Sequence, residues 1–193
     1  MPGTLNVGGH DIITHSGTAG AGTINLVDQA GNTILTDSGS GMSISSNVAF
    51  PAGHVIQVVY AESTTATSIT STTQGSGTST GLSATITPVS SSNKFFISYV
   101  GSFYLVRHPN PAVSVEIYDG TSVVATENGQ YGIYINGDGD EYDNHWKYPF
   151  QAYITPSGSG AITYTVRAWK QGNGVTAQMS SRISTLTIME IQQ

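Results

Sequence analysis

Cysteine is absent from the 193 residues, which removes disulfides, thiolate nucleophiles and cysteine-based zinc sites together. Charge is scarce too: Asp, Glu, Lys and Arg make up 9% of the chain, against about a quarter in ordinary globular domains. The six cations, Lys94, Arg107, Lys147, Arg167, Lys170 and Arg182, stand singly, and the formal net charge is −6. No basic stripe is available to neutralise phosphates, so nucleic-acid binding is not expected. No apolar run approaches the ~20 residues that span a bilayer, so no membrane insertion is expected. The first residues lack the basic and apolar stretches of a secretory signal. An external role is therefore expected to require assembly inside a cell and release in a particle. Complete Gly-x-Gly-x-x-Gly and phosphate-loop patterns are missing.

A surface with so few charges must be built from Ser, Thr, Asn and Gln. With 38% hydrophobic residues and 10 Tyr, 5 Phe and 2 Trp, the chain is nevertheless too aromatic to read as disordered. Its dominant pattern is alternation with period two; helical periodicity is nearly missing. Ile162, Tyr164, Val166 and Ala168 alternate with Thr163, Thr165, Arg167 and Trp169. Val113, Val115 and Ile117 alternate with Ser114, Glu116 and Tyr118, and Asp119-Gly120 follows as a hairpin turn signal. Further strands are predicted over 54–61, 81–87, 94–106, 148–155 and 183–191. Short strands punctuated by Gly, Ser and Pro predict an all-β fold, a β-sandwich or jelly roll.

A boundary is expected near Phe50-Pro51, giving segments 1–49 and 50–193. The first is Gly-rich with short β-like pieces at 10–15, 23–28, 32–36 and 42–45, and Gln29 to Asn32 reads as a turn. These pieces hold too few large apolar residues for an independent core. Pairing with copies of itself or with a larger assembly would order it; a flexible arm is the alternative. Residues 61–92 are rich in Ser and Thr, and are expected to form exposed strands and loops.

Three predicted strands are apolar on both faces. In 94–106, Phe95, Ile97, Tyr99, Phe103 and Leu105 share one face, while Phe96, Val100, Tyr104 and Val106 share the other. In 54–61, Ile56, Val58 and Tyr60 oppose Val55, Val59 and Ala61; in 183–191, Leu186 and Ile188 oppose Ile183, Met189 and Ile191. A monomeric sandwich wets one face of each strand, so a second apolar face calls for a cover. A neighbouring subunit in closed symmetry is the simplest cover, which makes Phe96, Val100, Tyr104, Leu186 and Ile188 the interface or core candidates. Loops of the same chain are the competing cover.

Polar chemistry concentrates in 131–148. Asn136, Asp138 and Asp140 stand where an EF-hand places its first three calcium ligands. Glu141 replaces the required glycine and Lys147 the bidentate glutamate, so an EF-hand is rejected; an irregular calcium site remains a candidate, and no other cofactor is expected. The aromatics beside these acids give a candidate sugar-contacting set: Tyr131, Tyr134, Tyr142, Asp143, His145 and Trp146. Packing of Trp146 and Tyr148 beneath the loop is the plain alternative. Paired carboxylates in 138–143 raise glycoside hydrolysis, but sequence neighbours in a glycine-rich loop seldom face each other as that chemistry needs, and no enzyme is expected. His10, His15, His54 and His108 are scattered and read as packed or satisfied residues.

Phe50-Pro-Ala-Gly-His-Val-Ile-Gln-Val-Val59, then Gly81-Leu-Ser-Ala-Thr-Ile-Thr-Pro88 and Ser91-Ser-Asn-Lys-Phe-Phe96, resemble the knobs of fibre-like proteins of marine and cyanobacterial tailed bacteriophages. Thr163-Tyr-Thr-Val-Arg-Ala168 and Ser184-Thr-Leu-Thr-Ile-Met-Glu-Ile191 are similar to the last strands of that group. The resemblance covers about 50–193. It implies a jelly roll like those of tumour necrosis factor and C1q, a homotrimer formed through one sheet, and a place on the outside of a virion. Residues 1–49 resemble the short β-rich pieces that anchor such knobs to other virion proteins. Host-surface glycan is the implied contact. A capsid or tail decoration or adaptor protein with no receptor is the alternative.

Overall fold

Pleated strands send successive side chains to opposite faces, so strand register decides which alternation is buried. The computed structural model describes residues 3–7, 10–16, 23–28, 30–37, 42–44, 50–106, 112–127, 132–134, 144–171, 176–179 and 182–193. These residues form sixteen strands and no helix, in two compact units, Met1–Phe50 and Pro51–Gln193.

The first unit is an antiparallel meander of β1 (Gly3–Val7), β2 (His10–Ser16), β3 (Thr23–Val27), β4 (Thr33–Asp37) and β5 (Met42–Ile44), paired in chain order. Its register places Leu5, Ile13, Leu26, Leu35 and Ile44 side by side on five adjacent strands. One residue along, Thr14, Asn25, Thr36 and Ser43 line up on the opposite face, where the Thr36 hydroxyl donates to Asn25 Oδ1 at 3.0 Å. The β3–β4 turn is held by Asp28, whose Oδ1 accepts the N–H groups of Ala30 (2.9 Å) and Asn32 (2.8 Å). Gly31 takes φ +84° there, a conformation glycine adopts without steric cost. Hydrogen bonds from Asn32, side chain first, hold the Asp28 carboxyl below its usual range.

The second unit begins with β6 (Val55–Ser63) and β7 (Ser68–Ile69), then β8 (Thr78–Ile86), β9 (Lys94–Val106) and β10 (Ala112–Tyr118). It continues through β11 (Val123–Thr126), β12 (Ile133–Tyr134), β13 (Asn144–Ile154), β14 (Ile162–Gln171), β15 (Thr176–Met179) and β16 (Ser184–Ile191). β13 lines one edge of β9, while β16 and β15 share the other edge, at residues 94–100 and 103–106. β6 continues the sheet beyond β16, and β7 beyond β15. In the second sheet β14 lines one edge of β10 with β8 beyond it, and β11 and β12 share the other edge. The two antiparallel sheets enclose one core, a β-sandwich. Phe95 from one sheet meets Tyr164 from the other edge-to-face, with centroids 5.8 Å apart.

Burial follows the alternation. Phe95, Ile97, Tyr99, Phe103 and Leu105 point inward from β9, Leu186 and Ile188 from β16, and Leu82, Ala84 and Ile86 from β8. Leu186 and Ile188 are thus core residues with no exposure, whereas Phe96, Val100 and Tyr104 are half-buried on the outer face. The Ser/Thr tract is less exposed than its composition suggests. Half of β8 faces the core, and Thr80 is fully buried because its hydroxyl donates to Val166 O at 2.9 Å.

Two local expectations are corrected. The β10–β11 turn centres on Gly120 and Thr121, one residue later than Asp119-Gly120, since the Asp119 N–H donates to Ser122 O. Asp119 serves the turn with its side chain, and Gly120 takes the left-handed φ of +97°. β10 was expected to wet its Ser114 and Glu116 face, yet both are buried. Ser114 Oγ accepts the Gly132 N–H at 3.2 Å, and a strap at 71–77 covers Glu116: Ser71 O accepts Lys170 N–H, Glu116 accepts Gly75 and Gly77 N–H at 2.7 and 2.8 Å, and Gln74 reaches Glu127 O. A Cβ on Gly77 would lie 2.8 Å from Glu116 Oε1, so the strap needs glycine there.

Tyr99 lies flat across Gly101, where a Cβ would stand 2.0 Å from its hydroxyl oxygen. Gly101→Ala should therefore lower stability by about 1–3 kcal/mol through overpacking, measured by denaturant titration. An unchanged midpoint would show that the ring moves aside freely. Ile188→Asp should abolish cooperative folding, because an unpaired carboxylate in the core costs several kcal/mol.

Candidate interaction surface

The outer face of the first sheet is where the chain presents most chemistry without covering it. Even-numbered residues of β6 and β9 and odd-numbered residues of β13 and β16 share this face. Register aligns Val58, Met189, Phe96 and Tyr153 in one apolar row across all four strand positions. Beside it run Tyr60, Thr187, Ser98 and Gln151, then Glu62, Thr185, Val100 and Pro149. Val58, Tyr60 and Tyr153 are more than half exposed, at 55%, 56% and 57%. At the far end His145 lies opposite Tyr104, their rings 4.7 Å apart and tilted by 33°. Charge on this face is thin. Tyr60 donates its hydroxyl to Glu62 at 2.7 Å, and that bond, followed by desolvation and the nearby charge, raises the phenol's pKa.

What such a surface offers is flat apolar area with hydroxyls and amides between. That suits another protein face. Met189, Val58, Phe96 and Val100 stand among the doubly apolar positions read from the sequence, while Tyr153 and Pro149 were passed over. The alternation of Gln151 and Tyr153 with the inward Ala152 and Ile154 is the signal that finds Tyr153.

Of the sugar-contacting set, Tyr134, His145 and Trp146 are described; Tyr131, Tyr142 and Asp143 lie outside the described residues, as do the calcium candidates Asn136, Asp138 and Asp140. Tyr134 ends β12 and is 47% exposed, and Trp146 is 45% exposed. His145 and Trp146 belong to β13, not to a loop, because pairing with β9 extends to Asn144 opposite Leu105. As strand neighbours they face opposite sides of the sheet. Tyr148, on the inward side with Trp146, is buried against Gly132, whose added Cβ would meet its ring at 2.5 Å.

Three carboxylates are withdrawn from the surface into structural roles. Glu190, with no exposure, accepts hydrogen bonds from the Gln57 amide, from Asn93 Nδ2 at 2.6 Å, and from the Val89 and Ser90 N–H groups. Desolvation pushes its pKa up, but those donors outweigh it, and the net shift is downward. Asp119 follows the same balance: burial raises its pKa, and the Ser122 and Thr121 donors bring it to about 2. Glu116 is the anchor of the strap.

No family model matches the sequence, and no curated protein does. Among solved structures, a chain in the structure of the infectious bursal disease virus Gx strain is similar over 97% of this chain, at 14% identity and a TM-score of 0.36. A chain of the Gt strain is similar over 90%, at 13% identity and a TM-score of 0.27. This chain spans 52% of each of them. Likeness at that level carries nothing about activity.

Glu190 generates a pH dependence with a definite sign. Its folded pKa lies below the ordinary glutamate value of 4.5, so its stabilisation is complete above about pH 4.5 and fades as pH falls through the folded value. Glu190→Gln should cost about 1–3 kcal/mol at pH 7, by leaving donors facing an amide. It should also flatten the loss of stability below pH 4.5. Parallel pH profiles for the two proteins would assign the acid sensitivity to other carboxylates.

Proposed function

We propose that this protein is a virion structural component, a trimeric knob or fibre of a tailed bacteriophage particle, attached through its N-terminal unit and contacting host-surface glycan. The observation that carries this reading is the outer face of the first sheet, an apolar row across four strand positions on a chain with very few charges. A face of that kind is stable in water when a copy of itself covers it.

Strand order supports the finer description of the fold as a jelly roll. In chain order the strand positions visit the first, second, first, second, second, first, second and first sheets. The sheets then read β6/β7, β15/β16, β9, β13 and β8, β14, β10, β11/β12. That is the path of a jelly roll with two interleaved Greek keys. The sequence resemblance to phage fibre knobs points the same way. Exposed Tyr134 and Trp146 supply flat aromatic area of the kind that stacks on sugar rings, and with His145 they are the described residues proposed for receptor contact.

Native mass spectrometry of the full chain should give three copies at micromolar concentration. The double variant Val58→Asp with Tyr153→Asp, at two exposed positions, should fold and dissociate, because like charges then meet across the axis. A wild-type monomer, or an assembled variant with unchanged melting, would overturn the proposal.

A further inference from the structure

A single sheet that is apolar on one face cannot remain one layer in water. The β1–β5 sheet is such a layer: among the described residues of its unit only Val27 is buried. Its aliphatic row stays open, with Leu5 at 54%, Ile13 at 36% and Ile44 at 59% exposed, and Ile24 and Met42 beside it at 45% and 76%. Ile13, Ile24, Leu26, Leu35, Met42 and Asp37 line a depression of about 240 Å³ on that face. Asp37 is the one acid among those residues, and no Lys or Arg occurs anywhere in the unit.

Shape, charge and area narrow the occupant. A flat pleated face packs best on another sheet, about 10 Å away. The occupant must be apolar and nearly uncharged, as this face is, and the same face of another copy meets both conditions. Five strands about 4.8 Å apart and roughly four residues long give about 330 Å². The outer face of the first sheet, four strand positions by roughly eight residues, gives about 500 Å². Neither reaches the ~800 Å² per partner of a stable specific interface, and together they do.

We infer that the aliphatic faces of the β1–β5 sheets of the associated copies pack against one another, as a second self-association element. The inference rests on the self-associating reading above, since copies gathered by the first sheet hold their N-terminal sheets at high effective concentration. It also assigns the faces: the row of Thr14, Asn25, Thr36 and Ser43 is left outward for the particle.

The absence of cysteine makes the test direct, because a single introduced thiol reports alone. Full chains carrying Ile24→Cys or, on the opposite face of the same strand, Asn25→Cys are treated with a bis-maleimide that bridges about one sheet-to-sheet distance (~10 Å). Ile24→Cys should cross-link copies at least ~10-fold faster than Asn25→Cys, as an effective concentration near millimolar requires. The pair Ile44→Cys and Ser43→Cys on β5 repeats the comparison at exposed positions. Equal rates in both pairs, in a chain that still sediments as an oligomer, would overturn this inference and leave the proposed function standing. A chain that sediments as a monomer would overturn both.

Discussion

A β-strand has two faces, and a chain this poor in charge has little with which to wet the second one. Most of the architecture follows from how each face is covered. The inner faces of the two large sheets cover each other, with Phe95 against Tyr164 near the centre. The outer face of the second sheet is covered around Glu116 by the chain's own strap at 71–77, which bonds to β14 and β10 and reaches the residue after β11. Among the described residues, none gives such a cover to the outer face of the first sheet or to the aliphatic face of the N-terminal sheet within its own unit.

That asymmetry explains where the few carboxylates went. In a chain with twelve acids, Glu116, Asp119 and Glu190 are spent on backbone N–H groups that loops leave unpaired. A buried carboxylate is tolerable when several donors converge on it, and each of these has at least two. Glu190 ties the last strand to the β8–β9 loop, Glu116 ties the strap to β10, and Asp119 closes the β10–β11 turn. Such acids fix loops; they do not make the surface soluble. On the outer face of the first sheet the rows through Met189 and Thr187 carry no charge, and Glu62, Lys94 and Lys147 stand beyond them.

Alternation made much of this legible from the residues alone. β9 occupies the 94–106 span that Phe95 to Val106 predict, and the inward set Phe95, Ile97, Tyr99, Phe103 and Leu105 is the set the period-two pattern names. What alternation does not carry is covering at a distance. Nothing local to Glu116 announces a strap arriving from about 40 residues upstream, for which Glu116 accepts bonds from Gly75 and Gly77. The turn after β10 was misplaced by one residue because Asp-Gly suits a turn centre, whereas here the Asp side chain caps a Gly-Thr centre. His145 and Trp146 read as loop residues because the acid-rich stretch before them masks the start of β13, whose length is set by its partner β9. Strand ends are fixed by pairing, and pairing is not written in either strand alone.

The same reasoning separates the residues that hold the fold from those that present it. Leu186 and Ile188 cannot be touched from outside, while Val58, Tyr60 and Tyr153 lose little if the protein stands alone, being already half in water. Exposure of that size on large side chains is a cost carried by every isolated copy, about 25 cal/mol for each Å² left wet. Association as proposed above would remove that cost without any change in the fold, which favours flat sheet faces over loops or clefts as the place where copies meet. The proposed fibre role asks for little else: a β-sandwich, a face that could receive its copies, and a short sheet with an open face of its own.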